Sequence, residues 1–285
     1  MTKPLRRPAP RAAERVCQAE DRITRMSTQA AEEISGVLAE IERVEGVRIC
    51  LAVESGSRAW GFPSRDSDYD VRFIYVHPAE WYLSIENGRD VIERPLIGLI
   101  DASGWDLRKA LQLFRKSNPP LIEWLQSPFV YLDRFETAAE LRQILPRFFS
   151  PEAGYYHYLH MARGNFREYL RGDVVWRKKY LYVLRPLLAM RWIESGRGAV
   201  PIEFGRLLDL TVDDPVVRTA VDELVDAKRA GNELDEGPAI PPISAFIQRE
   251  LDRADDVTLN RRESAPPVAD LDAVFRATLQ RAWEV

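Results

Sequence analysis

From Thr28 onward the apolar positions follow two different spacings. In TQAAEEISGVLAEIERVEG, Ile34, Leu38, Ile41 and Val44 recur every three or four residues and Gly46 supplies a stop, which predicts an amphipathic helix. VRICLAVES (47–55) is a short β-branched apolar run and reads as a buried strand, and DYDVRFIYV (68–76) reads as a second. Between them GSRAWGFPSRDS, punctuated by Gly, Ser and Pro, reads as a loop. Two further extended runs are expected at RDVIERP and LIGLIDA. WDLRKALQLFRKS then turns helical with Leu107, Leu111 and Phe114 on one face, so the sheet is expected to finish near residue 103.

Everything beyond reads as helix. LIEWLQ follows Pro119 and Pro120, FETAAELRQILPRFF follows a turn, and AGYYHYLHMARGNFREYLRG carries a stripe of Tyr155, Leu159, Ala162, Phe166 and Tyr169. VVWRKKYLYVLRPLLAMRWIE continues the pattern with Pro186 as an expected kink, and SAFIQRELDRADD and DLDAVFRATLQRAW are the last helices, joined through the linker NRRESAPPVAD. The predicted fold is α/β in the α+β sense: a small mixed sheet with flanking helices over residues 27–133, then a helical domain over 134–285. Residues 1–26, with seven basic side chains, three acids and three early prolines, read as a flexible basic arm.

Composition narrows the function classes. Apolar residues make up 46% of the 285, enough for a substantial core. Forty Lys and Arg against 44 Asp and Glu give a net charge of -4, which excludes a uniformly basic nucleic-acid binder. The total hides a segregation: residues 163–197 hold nine basic and three acidic side chains, and residues 209–236 hold three basic and nine acidic. Two cysteines, Cys17 and Cys50, exclude a disulfide scaffold or a multi-cysteine metal site and fit a reducing cytoplasm. No apolar run approaches membrane-spanning length, and the basic, proline-broken start has no export-signal pattern.

The chemistry concentrates in one stretch, from Glu54 to Asp70. Strand side chains alternate faces, so Asp68 and Asp70 project from the same side about 7 Å apart. Two such carboxylates converge on one cation, and oxygen ligands of this kind suit Mg²⁺, which completes its shell from water and substrate phosphates. Gly56 and Ser57 end the first strand, where a missing side chain lets backbone N–H groups and a hydroxyl approach a triphosphate. Separately an Asp-x-Asp or a Gly-Ser is commonplace. An apolar strand, Gly-Ser, ten residues and Asp-x-Asp opening a second strand form a far more restrictive pattern.

That pattern resembles the DNA polymerase β-like nucleotidyltransferase superfamily. ESGSRAWGF, SRDSDYDVRFIYVHP, WYLSI, GWDLRKAL, KSNPPLIEWLQSP, KKYLYVLRPLLAMRWI and the acidic helix with Lys228 are similar to the RNA repair pathway DNA polymerase β family, over about residues 30 to 255. The resemblance implies a catalytic nucleotidyltransferase domain at 27–133. It also implies two Mg²⁺ ions, or Mn²⁺ in their place, and transfer of a nucleoside monophosphate from an NTP to a hydroxyl, with an RNA 3′ end as the expected acceptor. Gly56 and Ser57 match the triphosphate-binding pair, and Asp68 and Asp70 the metal-binding carboxylates. Asp101 is the expected third carboxylate, acting on the acceptor side. Asp106 is the fallback, though an Asp before a helical run is commonly an N-cap. The superfamily also supports AMP transfer to proteins or small molecules, and a silent nucleotide sensor is the rival from another class.

Arg58 and Arg65 flank the loop and could contact phosphates. Lys178, Lys179 and Arg185 could reach across the cleft, with Lys179 the nucleotide-binding candidate among them. His157 and His160 lie one helical turn apart but have only His77 elsewhere in the chain to join them, so packing is the expected role. The aromatic residues of 155–192 could stack bases, but at helical spacing they are expected in the core.

Overall fold

The structure is a computed structural model that describes residues 28–64, 66–231, 234–259 and 266–284. The arm at 1–26 with Cys17, Arg65, and residues 260–265 of the linker lie outside the described residues.

Helix α1 (Thr28–Glu45) turns Ile34, Leu38 and Ile41 into the core, while Val44 is half exposed at its end. Strands β1 (Arg48–Glu54) and β2 (Tyr69–Val76) pair antiparallel. Between them the stretch expected as loop forms a short helix, α2 (Gly56–Trp60), closed by Gly61 in the left-handed conformation. After α3 (Ala79–Tyr82) come β3 (Val91–Glu93) and β4 (Ile100–Asp106), antiparallel to each other, with β4 parallel to β2.

The sheet therefore does not finish at 103. Ala102, Gly104 and Asp106 continue the buried side of the β4 alternation. Helix α4 (Leu107–Arg115) starts only after Asp106, whose carboxylate caps it by accepting the Arg108 N–H at 2.8 Å. Beyond α5 (Pro119–Gln126) a further strand, β5 (Val130–Asp133), joins the far edge beside β1. Four residues are too few to display a period, which is why the all-helical expectation missed it. The sheet order is β3-β4-β2-β1-β5.

The helical region comprises α6 (Thr137–Phe148), α7 (Pro151–Tyr169), α8 (Lys179–Glu194), α9 (Phe204–Thr211), α10 (Pro215–Arg229), α11 (Pro241–Arg253) and α12 (Val268–Trp283). A two-stranded ribbon interrupts it. VVW forms β6 (Val174–Trp176), antiparallel to β7 (Glu236–Pro238), so α8 opens at Lys179 rather than at the valines. One face of the sheet packs under α1 through Val71, Phe73, Tyr75 and Ala102. The other contributes Cys50, Ile74 and Val76 to a core that continues without a break into the helices. The last helix, α12, returns to pack on β1, β2, α4 and α6.

Candidate active site

Alternation along β2 sets the position of the site. Asp70, Arg72, Ile74 and Val76 share one face, and that face passes from polar to fully buried apolar side chains where the helical cover begins. The carboxylates therefore stand at the uncovered end. Asp68 precedes the strand and is exposed. β4 runs parallel in a register that sets Asp101 opposite Asp70. Asp106, five residues on, falls on the opposite side of the alternation, buried and bonded to Tyr82 Oη at 2.6 Å, where it serves as a cap.

Asp70 and Asp101 are joined by Arg72. Its Nη2 donates to Asp70 Oδ1 at 2.9 Å and Asp101 Oδ2 at 2.7 Å, and its Nη1 donates to the Asp101 carbonyl at 2.8 Å. Burial raises the Asp70 carboxyl above the ordinary aspartate range, Arg72 pulls it back, and the charges of Asp101 and Asp68 add to the rise. Gly56 lies directly against this carboxylate: its φ is +58°, and a Cβ there would stand 1.9 Å from Asp70 Oδ2. The Ser55 N–H donates to the Asp70 carbonyl at 2.9 Å, tying the Gly-Ser turn to β2.

Glu54, buried at the end of β1, accepts the Asp70 N–H at 2.9 Å on Oε1 and the Tyr131 hydroxyl on Oε2. Burial pushes its carboxyl up to about 7 against those two hydrogen bonds. Arg58 turns back onto the loop. Its Nε donates to the Asp68 carbonyl at 3.1 Å, its Nη2 to the Ser67 carbonyl at 2.7 Å, and the guanidinium lies over the Tyr69 ring at 3.9 Å.

The opposite wall comes from α8. Lys179 Nζ lies 4.2 Å from the Tyr169 ring centroid and 5.0 Å from that of Tyr182. Burial raises the Tyr182 hydroxyl pKa, the charges of Asp70 and Asp68 raise it further, and its ring packs edge-on against Trp60 of α2 at 5.5 Å. From α10, Arg229 reaches the Gly61 carbonyl at 2.7 Å. Lys228 beside it is buried, and burial together with Lys178 lowers its pKa. Arg185 does not face the cleft: it is 2% exposed and paired with Glu123 at 2.7 Å. His160 Nδ1 lies 2.7 Å from the Tyr156 carbonyl, and among the described residues His157 and His160 join no group of three or more His, Cys, Asp or Glu. Tyr155, Tyr158 and Tyr180 are core, whereas Trp176 is exposed on β6.

The donor set is carboxylate oxygen alone, which fits Mg²⁺ or Mn²⁺ and not a softer metal. Among the described residues no three or more His, Cys, Asp or Glu side chains gather closely enough to hold a metal unaided. Asp70 and Asp101, register partners bridged by Arg72, offer two carboxylates to such an ion, with water and phosphate to complete its shell, and Asp68 stands exposed just before β2. Four side chains around the candidate site escaped the sequence reading. Arg72 was legible in principle, since it lies two residues from Asp70 on the same face, and Tyr182 lies one helical turn from Lys179. Glu54 carried only its place before the Gly-Ser turn, and Tyr131 sits on the strand the sequence reading missed.

The fold and site define a mixed α/β protein with a Gly-Ser turn and aspartates at the open end of its sheet, of the nucleotidyltransferase-like class. The chain belongs to the RNA repair pathway DNA polymerase beta family, RlaP, whose profile matches residues 30–277. It is 48% identical over 252 residues to the uncharacterized protein YcgL of Bacillus subtilis strain 168, covering 87% of this chain and 97% of that protein. A solved nucleotidyltransferase-like protein from Exiguobacterium sibiricum 255-15 aligns over 78% of this chain and 75% of its own at 15% identity. Its TM-score of 0.30 is too low to inform the site.

Proposed function

We propose that the protein is a Mg²⁺-dependent nucleotidyltransferase that moves a nucleoside monophosphate from an NTP to a hydroxyl acceptor, with an RNA or oligonucleotide 3′ end as that acceptor. One observation carries the reading. Asp70 and Asp101 are register partners on neighbouring parallel strands, with the Gly56 backbone pressed against the Asp70 carboxylate. The RNA acceptor draws its support from the family description.

In this reading Gly56 and Ser57 bind the triphosphate through the open backbone of the turn and the serine hydroxyl. Arg58 and Lys179 add positive charge beside it. Asp68, Asp70 and Asp101 are the residues that would hold two Mg²⁺ ions, which supply neutralisation of the triphosphate and a lowered pKa for the acceptor hydroxyl. Asp101, with a side chain 43% exposed, takes the hydroxyl proton on a carboxylate oxygen as the acceptor oxygen attacks the α-phosphorus and pyrophosphate leaves. Tyr182 and the α8 wall limit water on the far side. The catalytic work falls within 27–133, and the helical region 134–285 supplies that wall.

Incubation with each α-labelled NTP, Mg²⁺ and a panel of RNA, DNA and protein acceptors tests the reading. Label on RNA 3′ ends is the expected result, and the D68N/D70N variant is expected to lose it while keeping its thermal unfolding transition. Label on protein instead would replace the RNA acceptor with a side chain, and NTP binding without transfer would mark a sensing module. Among the described residues no helix is long and apolar enough to cross a membrane.

A further inference from the structure

We propose that Arg72 is a built-in counter-cation that occupies the Asp70–Asp101 pair until a divalent cation displaces it. The inference rests on the reading of these aspartates as cation ligands and concerns how that site is loaded. A single nitrogen, Nη2, stands 2.9 Å from Asp70 Oδ1 and 2.7 Å from Asp101 Oδ2, so one positive charge already bridges the two carboxylates. Those two oxygens are the ones a bridging cation would use, and a guanidinium and a metal ion cannot share them at contact distance.

The remaining oxygens divide the site. Asp70 Oδ2 is turned away from Arg72 toward Gly56, where it fills the space a Cβ would take. Asp68 is exposed and forms no ion pair with a described residue. A cation that arrives with phosphate therefore meets free ligands on the Gly56 side, whereas a cation between Asp70 and Asp101 meets Arg72. The guanidinium is also anchored to the backbone, through Nη1 on the Asp101 carbonyl at 2.8 Å and the Val71 carbonyl at 3.2 Å. It stays beside the site after Nη2 lets go. Facing carboxylates without a counter-charge repel one another, so Arg72 holds the pair together in the free protein and turns cation binding there into an exchange.

The test is Mn²⁺ binding to the full chain without nucleotide or acceptor, read from the free-ion EPR signal. R72Q is expected to bind Mn²⁺ about tenfold tighter than the wild type, because a competing charge is gone. R72Q/D101N is expected to lose that gain. An R72Q protein that keeps its thermal transition and binds no tighter than wild type overturns the proposal, as does a gain that survives D101N. Should R72Q fail to fold, R72K decides. One ammonium cannot span two carboxylates and two carbonyls, so a several-fold gain is expected and equality with the wild type overturns the proposal. With no NTP present, a failed transfer assay leaves a positive Mn²⁺ result standing. A working transferase whose R72Q variant binds Mn²⁺ like wild type removes this inference alone.

Discussion

Gly56 bears two constraints at once. Its φ of +58° lies where a Cβ is strained, and that Cβ would stand 1.9 Å from Asp70 Oδ2, an oxygen held in place because its partner Oδ1 is bound to Arg72. G56A is therefore expected to cost about 1–3 kcal/mol of stability and to lower nucleotide transfer about a hundredfold or more, since the carboxylate must move. Urea unfolding and label transfer measure the two effects separately. Glu54 governs the same strand end through a proton. Its carboxyl ionises near 4.5 in the unfolded chain and at about 7 in the folded one. Across that window the unfolded chain has given up a proton that the folded chain keeps. The contribution of Glu54 to stability is therefore complete below 4.5 and is lost as pH rises to about 7. E54Q cannot titrate. Relative to wild type it is expected to gain up to about 3 kcal/mol between those pH values and then level off. Urea titrations from about pH 4 to about pH 8 check this, and a pH-independent difference would refute it.

At the scale of elements, the joint between α5 and α8 is polar and buried. Glu123 accepts from Arg185 at 2.7 Å and from the Tyr158 hydroxyl at 3.1 Å, and Arg185 also reaches the Ile202 carbonyl at 3.3 Å. The Arg185 guanidinium lies 4.8 Å from the Trp60 ring centroid, so helix α2, which opens with the Gly-Ser pair, rests on this joint. E123L strands a buried charge and is expected to destabilise by about 3–5 kcal/mol, while E123L/R185M recovers most of the loss. Chemical denaturation of the two variants distinguishes a stranded charge from a lost apolar contact. The joint also marks where sequence reading stops. Residues Lys179–Glu194 read as helix from their long, mostly apolar run, but the helix is buried on all sides, so nothing in that run says which neighbour faces Arg185. β5 and the β6–β7 ribbon escaped because three or four residues held by pairing to remote strands carry no period of their own. Asp68, Asp70, Gly56 and Ser57 were legible because they cluster along the chain. Asp101 was legible as a strand aspartate, but its pairing with Asp70 depends on a parallel register that nothing local encodes.

Over the whole molecule, the basic block finds its ion-pair partners outside the acidic one. Arg163 pairs with Asp255 at 2.7 Å and Arg191 with Glu250 at 3.2 Å, both beyond residue 236, while β7 sets Glu236 opposite the uncharged Trp176 on β6. The chain's end closes the structure in another way. Helix α12 buries Leu271, Val274, Thr278 and Ala282 against the sheet side of the molecule, with Thr278 Oγ1 2.9 Å from Thr137 Oγ1 and Arg147 paired to Asp270 at 2.6 Å. Phe275 meets the Tyr82 ring edge-on at 4.9 Å, and the Tyr82 hydroxyl holds Asp106 at the end of β4, the strand that carries Asp101. Each apolar side chain removed from water here is worth about 1.5–3 kcal/mol, so losing the helix forfeits about 5 kcal/mol or more out of the 5–15 kcal/mol typical of a folded domain. A chain ending at residue 259 is therefore expected to melt at least about 10 °C lower than the full chain, or to lose its near-UV circular dichroism altogether. A terminal helix that merely lay on the surface would leave the melting temperature unchanged. The milder variant F275A, which keeps the helix and removes its contact with Tyr82, is expected to lower the melting temperature by only a few degrees, tying the larger loss to the buried stripe of α12.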